Sequence, residues 1–367
     1  MKRQPDTLRS GFTTGAAAAA AAKAALQLLF TGQVPTVVEI TFLTGETTTI
    51  AVHGCRLVES NKASCTVIKD AGDDPDVTHG AEIGAEVTLE KRWAADPIRI
   101  TGGAGVGVVT KPGLEIPPGR AAITSGPVTM ITNSINALLD EHPTDAGIHV
   151  EVFVPEGERL AKKTLNARLG IIGGLSILGT TGIVRPMSHD AYVATIQKSM
   201  DVARAAGLTH LVLTTGRRSE RFAQDCWPSL ADESFIQIGD FFQATMTAAA
   251  TRGFLSATLA VFFGKAVKMA QNIPHTHAAK SELTLETLAR WTFEQTGNRE
   301  LANLIAAANT ARHAFDPLKA KAPAVIAHVA EQAQHCAVGF SLSKIRVRCV
   351  IFDYDGTTAV DTQPDWG

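Results

Sequence analysis

The sequence predicts two domains, an α+β domain over residues 1–182 and an α/β domain with a parallel sheet over residues 183–367. The length of 367 residues well exceeds the roughly 150 residues of an average domain. Short runs of alternating apolar and polar residues, typical of half-exposed strands, fill the first part. In the second part strands and helices alternate, which is the pattern of a parallel sheet. A glycine-rich stretch at 170–182 separates the two patterns and marks the boundary.

The first predicted helix begins close to the N-terminus, where the sequence also imitates a signal peptide. Basic residues precede an alanine run at 16–22, but Lys23 interrupts the apolar stretch. Thr13 or Thr14 stands where an N-cap begins a helix, which would end near Gly32. An ordinary internal helix is therefore favoured over an export signal.

Further elements follow from the hydrophobic pattern and from turn residues. In the first domain we predict strands at 37–40, 85–89 and 148–154 and a helix at 130–139. In the second domain we predict a helix at 191–206, a strand at 210–214, a strand at 235–238, a helix ending at 249, and a strand at 255–262 before another helix.

The charge balance excludes partners that need a strong overall field. The 34 basic and 36 acidic residues nearly cancel, so neither nucleic acid nor an anionic membrane is an expected partner. Any anionic ligand must be met by a local cluster of cations. No run of ~18 strongly apolar residues predicts a membrane span.

The five cysteines are odd in number and lack C-x-x-C spacing. The sequence therefore predicts neither a disulfide framework nor a zinc site. A reducing cytoplasm is the compartment that fits this cysteine usage best.

Three loops of the second domain follow predicted strands and have the composition of ligand-binding loops. Ligands of parallel sheets bind at the carboxyl ends of the strands, where glycine allows close approach and helix N-termini offer N–H groups. An acid such as Asp240 could accept hydrogen bonds from ribose hydroxyls. All three loops are also explained as short connections between elements. The residues concerned are Thr214, Thr215, Gly216, Gly239, Asp240, Gly264 and Lys265.

The glycine cluster at 102–107 superficially suggests a dinucleotide site. Its spacing is not G-x-G-x-x-G, and the chain continues as an extended segment into Pro112 instead of opening a helix. A tight corner at Gly103 and Gly105, against which a substrate could lie, is at least as plausible.

Two further motifs carry titratable groups. The loop at 69–76 concentrates four carboxylates, which could hold a hard cation, supply a general base, or simply form a solvated turn without EF-hand spacing. In His275-Thr276-His277 the two histidines point to opposite faces of an extended chain, so a hydrogen-bonding or basic role for one of them is favoured over zinc.

The segment at 350–357 resembles the nucleophile motif of haloacid-dehalogenase-type phosphatases. Few residues follow it before Gly367, whereas that fold needs its sheet, its lysine and its metal-binding acids downstream. We therefore expect a C-terminal strand that ends in a turn.

Taken together and in order, five segments resemble the cobalt-precorrin-5B C(1)-methyltransferase family, and the resemblance covers nearly the whole chain. Asp-Ala-Gly-Asp-Asp-Pro-Asp and Ser-Ile-Leu-Gly-Thr-Thr-Gly-Ile-Val are its longest and most unusual parts. The five segments are 11–15, 69–78, 109–114, 169–187 and 264–280.

The resemblance implies transfer of a methyl group from S-adenosylmethionine to C(1) of cobalt-precorrin-5B, giving cobalt-precorrin-6A in cobalamin biosynthesis. It also implies a fold in which an α+β domain, like a permuted second domain of a small-subunit ribosomal protein, precedes a parallel α/β domain. We expect the corrinoid on the first domain and at the glycine-rich junction, S-adenosylmethionine on the second domain, and no protein-bound metal. A homo-oligomer is compatible with the sequence.

On this interpretation Thr214, Thr215, Gly216, Gly239 and Asp240 bind S-adenosylmethionine, and the general base comes from Asp70, Asp73, Asp74 or His275, with the aspartate loop ranked first. The corrinoid is a flat ring fringed by carboxylates, which needs glycine backbone and cations around it. Its expected contacts are Gly103, Gly105, Lys111, Lys162, Lys163, Arg168, Thr180 and Thr181.

Two departures from the family pattern and two alternatives stay open. Ala16-Ala17 stands where the family has Thr-Cys, and 124–129 is looser than the usual Asn-Pro-containing stretch. A non-catalytic tetrapyrrole-binding or carrier protein would bind corrinoid without methyl transfer, and an NAD-dependent oxidoreductase would bind a nicotinamide cofactor.

Overall fold

The chain was described from a computed structural model that covers residues 8–91, 97–186, 188–277 and 281–362. It divides into two compact units, Met1–His189 (unit 1) and Asp190–Gly367 (unit 2). The sequence places the boundary at 182, within the glycine-rich stretch. Met187 and residues 278–280, which end two of the family-like segments, lie outside the described residues. In the described residues, every helix is too short or too polar to cross a membrane.

The described residues of unit 1 form eleven strands and three helices. The strands are Gly11–Phe12 (β1), Val37–Thr41 (β2), Thr47–Ala51 (β3), Gly54–Glu59 (β4), Lys62–Ile68 (β5), Glu82–Lys91 (β6), Ile98–Gly102 (β7), Val108–Val109 (β8), Ala146–Phe153 (β9), Ile171–Ile172 (β10) and Ile183–Val184 (β11). The helices are Thr14–Thr31 (α1), Ser125–Glu141 (α2) and Gly157–Ala161 (α3).

The helix α1 is the buried centre of unit 1. The Thr13 side chain caps it by accepting from the N–H of Ala16 at 3.2 Å, and Gly32 ends it in the left-handed region at φ 68°. The predicted internal helix is thereby confirmed. Its alanines are fully buried, because a helix with small side chains can lie close to both a sheet and a neighbouring helix.

The main sheet of unit 1 has the strand order β4-β5-β6-β9-β7. Its pairs are antiparallel except for β7 with β9. Along β5 the residues Ala63, Cys65 and Val67 are buried and alternate with half-exposed neighbours, which is the period of a sheet with one face on the core. The α+β character predicted for the first part of the chain is present.

The structure contains a disulfide between Cys55 and Cys65, so the prediction of no disulfide is wrong. These residues are direct partners on the antiparallel strands β4 and β5, with Cα atoms 4.0 Å apart. Cysteine count and spacing carry no information on strand pairing, which alone brings these two side chains together. Cys226, Cys336 and Cys349 remain thiols.

In the described part of unit 2, strands and helices alternate at first, and five consecutive helices precede the fourth strand. The strands are His210–Thr214 (β12), Phe235–Gln237 (β13), Ser256–Phe262 (β14), Arg346–Phe352 (β15) and Thr358–Asp361 (β16). The helices are His189–Ala205 (α4), Arg217–Cys226 (α5), Phe242–Thr251 (α6), Phe263–Ala270 (α7), Ser281–Thr296 (α8), Arg299–Ala306 (α9), Ala311–Lys321 (α10) and Pro323–Phe340 (α11).

The sheet of unit 2 has the order β13-β12-β14-β15-β16. Its first four strands are parallel, as predicted, and β16 is antiparallel to β15. The strand β15 ends in the turn at 353–357, which confirms the expectation for this phosphatase-like motif; the returning β16 was not predicted. Fully buried phenylalanines, among them Phe242, Phe254 and Phe263, fill the space between the sheet and its helices.

Candidate active site at the carboxyl edge of the parallel sheet

The strand order of unit 2 reverses between β12 and β14. From β12 the chain passes through α5 to β13 on one side, whereas from β14 it passes through the later helices to β15 on the other side. Loops that leave two neighbouring strands in opposite directions open a crevice at their carboxyl ends, and ligands of such sheets bind there. The loop after β12 and the start of α7 flank this crevice.

Gly216 offers open backbone beside the crevice. A Cβ atom on Gly216 would meet no heavy atom within 4 Å, and α5 begins at the next residue. The first N–H groups of a helix have no partner within the helix, so this turn presents donors to an anionic ligand. Thr215 is half-buried, whereas Thr214 is fully buried and its hydroxyl lies 3.5 Å from the carbonyl of Ile236.

Asp240, on the loop after β13, lies in a compact polar network with Lys265 and Thr276. The Lys265 ammonium forms an ion pair with Asp240 Oδ1, and the hydroxyl of Thr276 donates to the same oxygen at 3.1 Å. Burial alone would raise the pKa of the Asp240 carboxyl, but these hydrogen bonds and the lysine charge outweigh burial and lower it. Asp240 is therefore a fixed anion at this edge of the sheet. Sequence reasoning placed Lys265 in one of the three candidate loops but gave it no role, and it gave none to Thr276.

The same network places His275 beside Asp240. The N–H of Thr276 donates to the Asp240 carbonyl at 2.9 Å, and that of Gln243 donates to the Pro274 carbonyl at 3.1 Å. The half-buried His275 ring lies edge-on to Phe241, with 4.8 Å between ring centroids. Of the residues predicted from the sequence, the structure thus brings together the loops of Gly216, Gly239 and Asp240 with His275.

Gly239 has a left-handed φ of 55° and packs against Tyr192, whose hydroxyl oxygen would lie 3.0 Å from an added Cβ atom. Glycine is required here by backbone conformation and by this contact. The ring of Tyr192 stacks on Phe241 at 5.0 Å, so the wall beyond the loop is aromatic.

The histidine pair does not form part of a larger ligand set. The rings of His275 and His277 are 6.2 Å apart. Within the part of the chain that the structure describes, no three His, Cys, Asp or Glu residues are arranged to hold a metal ion.

In unit 1 the acidic loop is held by the N-terminal segment. Arg9 forms an ion pair with Asp70, and the N–H of Gly72 donates to Asp70 at 2.8 Å. The hydrogen bond from Arg9 is the largest cause that lowers the pKa of Asp70 to about 2, which makes this carboxylate a poor proton acceptor. Asp73 accepts from the N–H of Arg9 at 2.6 Å, and Asp74 is half-buried in the same loop.

A buried ion pair that the sequence did not reveal braces this loop. The Lys69 side chain is 1% exposed and binds Asp76 at 2.6 Å. Asp76 also accepts from the N–H and the hydroxyl of Thr78, both at 2.7 Å. Removal of Asp76 would leave the buried charge of Lys69 uncompensated, so the pair stabilises this loop.

The N-terminal segment at 9–15 lies against the acidic loop at 69–76. The N–H of Phe12 donates to the Asp70 carbonyl at 2.7 Å. A Cβ atom on Gly11 would lie 2.3 Å from the same carbonyl oxygen, so only glycine allows this approach. Two of the family-like segments are therefore neighbours in unit 1.

A third family-like segment, at 176–184, contacts the same N-terminal segment. The N–H of Thr13 donates to the Gly182 carbonyl at 2.9 Å, and the hydroxyl of Thr14 accepts from the N–H of Leu178 at 2.9 Å. Thr180 and Thr181 of this segment are exposed.

The glycine corner at Gly103 and Gly105 is filled by protein. A Cβ atom on Gly105, whose φ is 71°, would lie 1.9 Å from the carbonyl oxygen of Val154, and one on Gly103 would lie 2.6 Å from Glu151. Close packing of the chain with itself explains both glycines.

The cations expected around a substrate are distributed along unit 1. Lys162 and Lys163 are exposed and Arg168 is half-buried. The Lys111 side chain packs over Gly170, where an added Cβ atom would lie 2.5 Å from its Cγ. Of these four cationic residues, Lys111 is therefore in contact with the glycine-rich stretch.

Comparisons with known proteins agree with the resemblance seen in the sequence. The family profile described as CbiD matches residues 1–186, and the profile described as CbiD, C-terminal domain, matches residues 275–363. A cobalt-precorrin-5B C(1)-methyltransferase of Geobacter sulfurreducens is 42% identical over 355 residues, which are 95% of this chain and 97% of that protein. The protein of the same name from Geobacillus sp. is 46% identical over 83% of this chain and 82% of its own length.

A crystal structure of the cobalamin biosynthesis protein CbiD from Archaeoglobus fulgidus is 29% identical, covers 70% of this chain and 78% of its own, and superposes with a TM-score of 0.40. Family membership rests on the sequence matches, because one profile spans just over half of the chain and relatives above 40% identity span most of it. This chain belongs to the CbiD family.

Proposed function

We propose that this chain transfers a methyl group from S-adenosylmethionine to C(1) of cobalt-precorrin-5B, giving cobalt-precorrin-6A in cobalamin biosynthesis. The observation that carries the proposal is the match to the Geobacter sulfurreducens enzyme, which is named for this reaction and is aligned over 95% of this chain and 97% of its own. Because the match extends along both units, both units can take part in the shared activity. Neither the carrier protein nor the NAD-dependent oxidoreductase has a comparable observation in its favour.

S-adenosylmethionine binds, on this proposal, at the carboxyl edge of unit 2. The residues present suit it: Gly216 leaves backbone open, the first turn of α5 offers N–H groups to a carboxylate, and Asp240 is an anion fit to accept from ribose hydroxyls. Gly239 and Thr215 border the same edge. When bound, the cofactor supplies a methyl group that is already activated on a sulfonium.

The corrinoid lies, on the same proposal, on unit 1, with Lys111, Lys162, Lys163 and Arg168 as candidate partners of its carboxylates and Thr180 and Thr181 as polar contacts. Support comes from the three family-like segments that meet around the N-terminal strand. The glycine corner gives less support, because the space beside Gly103 and Gly105 is filled by other residues of this chain.

Catalysis rests mainly on positioning. Holding the ring carbon and the methyl group in line can supply ~7–11 kcal/mol of the barrier. If a ring proton leaves, we rank His275 before the acidic loop as its acceptor. Asp70 has a pKa of about 2, whereas imidazole is the side chain whose ordinary pKa lies nearest neutrality, and His275 adjoins the proposed cofactor site.

Incubation of the purified chain with cobalt-precorrin-5B and S-adenosylmethionine labelled in its methyl group tests the proposal. We expect one labelled methyl group on the corrinoid, and release of S-adenosylhomocysteine in equal amount. Tight corrinoid binding without transfer would select the carrier protein instead. Binding of a nicotinamide cofactor without transfer would select the oxidoreductase.

A further inference from the structure

Methyl transfer constrains where the corrinoid must be held. The accepting carbon has to come within about 3–3.5 Å of the methyl group, so part of the ring lies over the carboxyl edge of unit 2 wherever else it is bound. The ring carries carboxylate side chains around its whole rim, and those above this edge need cationic partners there. This step rests on the proposed function.

A cluster beside the crevice has the required chemistry. Phe262 ends β14, and Tyr354 follows the end of the neighbouring β15; their rings stack at 5.2 Å with 5° between planes. The guanidinium of Arg218 lies over Phe262 at 5.4 Å, and that of Arg312 lies over Tyr354 at 4.3 Å. We call these four residues the arginine–aromatic stack.

The two guanidinium groups differ from those of two other arginines of unit 2, Arg252 and Arg348. Arg252 binds Asp201 at 2.7 Å, and Arg348 binds Asp361 at 2.8 Å. Neither Arg218 nor Arg312 forms an ion pair with a carboxylate of the described residues, and both are exposed.

The stack also restrains the guanidinium groups, because each lies within cation–π distance of an aromatic ring. Guanidinium N–H donors can bind a carboxylate in two parallel hydrogen bonds. Arg218 is further held because it donates to the Tyr354 carbonyl. Little side-chain entropy is then lost when an anion binds.

The nearby carboxylates on the turn after β15 already have partners within the chain. Asp353 pairs with Lys319. Asp355 accepts from the N–H of Thr357 at 2.9 Å and from its hydroxyl at 2.7 Å. In the described residues neither acid forms an ion pair with Arg218 or Arg312, so the two guanidinium groups are available to an external anion.

We propose that Arg218 and Arg312 bind carboxylate side chains of the corrinoid substrate, so that unit 2 holds the rim of the ring while it holds the methyl donor. The two residues are substrate-positioning residues, and no proton or methyl group passes through them. The sequence signal was slight: Arg217-Arg218 follows Gly216 directly, but nothing in the sequence links this pair to Tyr354.

The test measures binding of cobyrinic acid, a cobalt corrinoid with free carboxylates, and of its full methyl ester, to the whole chain. For Arg218→Gln and Arg312→Gln we expect affinity for the acid to fall about tenfold each, the loss typical of a hydrogen bond between charged groups. Affinity for the ester and for S-adenosylhomocysteine should not change. Arg218→Lys should retain part of the affinity for the acid, because it keeps the charge but loses the paired donors.

Arg299→Gln is the matched control, because Arg299 is exposed and lies over the ring of Phe293 at 5.8 Å elsewhere in unit 2. Unchanged binding of the acid by the double variant, or no binding by the parent chain, overturns the proposal. A loss of S-adenosylhomocysteine affinity instead would also overturn it, because the arginines would then serve the cofactor carboxylate. If the parent binds the acid through these arginines but does not methylate cobalt-precorrin-5B, the proposed function fails and this inference stands.

Discussion

Asp240 is the side chain on which the placement of the cofactor depends most directly. Its charge is maintained by Lys265 and Thr276, and a charged acceptor for ribose hydroxyls contributes about 1.5–3 kcal/mol. We therefore expect Asp240→Asn to weaken S-adenosylmethionine binding by roughly 10- to 100-fold in calorimetry. The isosteric change keeps the volume of the side chain.

A matched control for the loss of an ion pair is Asp201→Asn. Asp201 is a partly exposed carboxylate of the same unit and pairs with Arg252, away from the loops at the carboxyl edge. Its variant should bind the cofactor like the parent chain. Parent-like affinity in a folded Asp240→Asn variant would remove Asp240 from the site.

Asp70 provides a prediction about pH. Its pKa is about 2 in the folded chain against the ordinary 3.8, so the pair with Arg9 stabilises the fold above about pH 4 and this contribution is lost as the pH falls through 2. The gain is small, because both side chains are substantially exposed. In Arg9→Gln the pKa of Asp70, followed by its carboxyl chemical shift, should rise toward the ordinary value, and the hydrogen bond from the Gly72 N–H should keep it below that value. A midpoint still near 2 would show that Arg9 is not the main cause.

Sequence reasoning found the site residues that carry a local signal. Gly216, Gly239 and Asp240 follow strands, and that position alone identifies them as candidates. Lys265 also lies in a loop after a predicted strand, but its ion pair with Asp240, like the contact of Thr276, is not encoded in the linear pattern. The sequence ranked the acidic loop first as the source of the base because it does not show that Arg9 pairs with Asp70. The two residues are 61 positions apart, and only the fold brings them together.

Among the elements, α1 is the most sensitive to packing. Ala20 is fully buried in a helix enclosed by other elements, so Ala20→Leu should destabilise the fold by about 1–3 kcal/mol. For a unit of this size that lowers the midpoint of thermal unfolding by roughly 2–4 °C per kcal/mol. Gln27→Leu, at a half-exposed position of the same helix, should change the midpoint much less, and equal effects would mean that α1 is not closely packed.

The pairing of β4 with β5 leads to a chemical prediction. Cys55 and Cys65 form a disulfide, whereas Cys226, Cys336 and Cys349 are thiols. Chain purified without reductant and then denatured should therefore titrate three thiols, and five after reduction. Five thiols before reduction would show that the strands place two reduced cysteines side by side.

Elements with a strong local pattern were predicted well, and those defined by pairing were not. The strand at 210–214 has the observed bounds of β12, because a short apolar run between polar turns has few other solutions. The strand β16 pairs with β15 because the chain turns back along the edge of the sheet. The hydrophobic periodicity of the sequence does not reveal such a pairing. The four helices after α7 were missed individually, because their polar faces and short loops blur the boundaries between them.

For the whole molecule, two separate cores make a prediction about cooperativity possible. The core of unit 1 surrounds α1 and its sheet, and that of unit 2 surrounds the parallel sheet, so we expect each unit to have its own free energy of local opening. A ligand at a hundredfold excess over its Kd stabilises its own cooperative unit by about 2.7 kcal/mol. If the cofactor site lies on unit 2 alone, the ligand raises the free energy of opening of unit 2 and leaves that of unit 1 unchanged.

Hydrogen exchange of the full chain with and without S-adenosylhomocysteine measures this distribution. We expect slower exchange across residues 190–362, greatest in the loops after β12 and β13 and at the start of α7, because these loops hold the ligand while the whole unit gains stability. The amides of the acidic loop at 69–76 and of the segment at 176–184 should exchange as in the free chain. NAD at the same concentration is the control for a nucleotide that does not bind. Protection centred on either of those unit 1 segments would move the cofactor to unit 1 and would contradict the assignment of the two ligands to the two units.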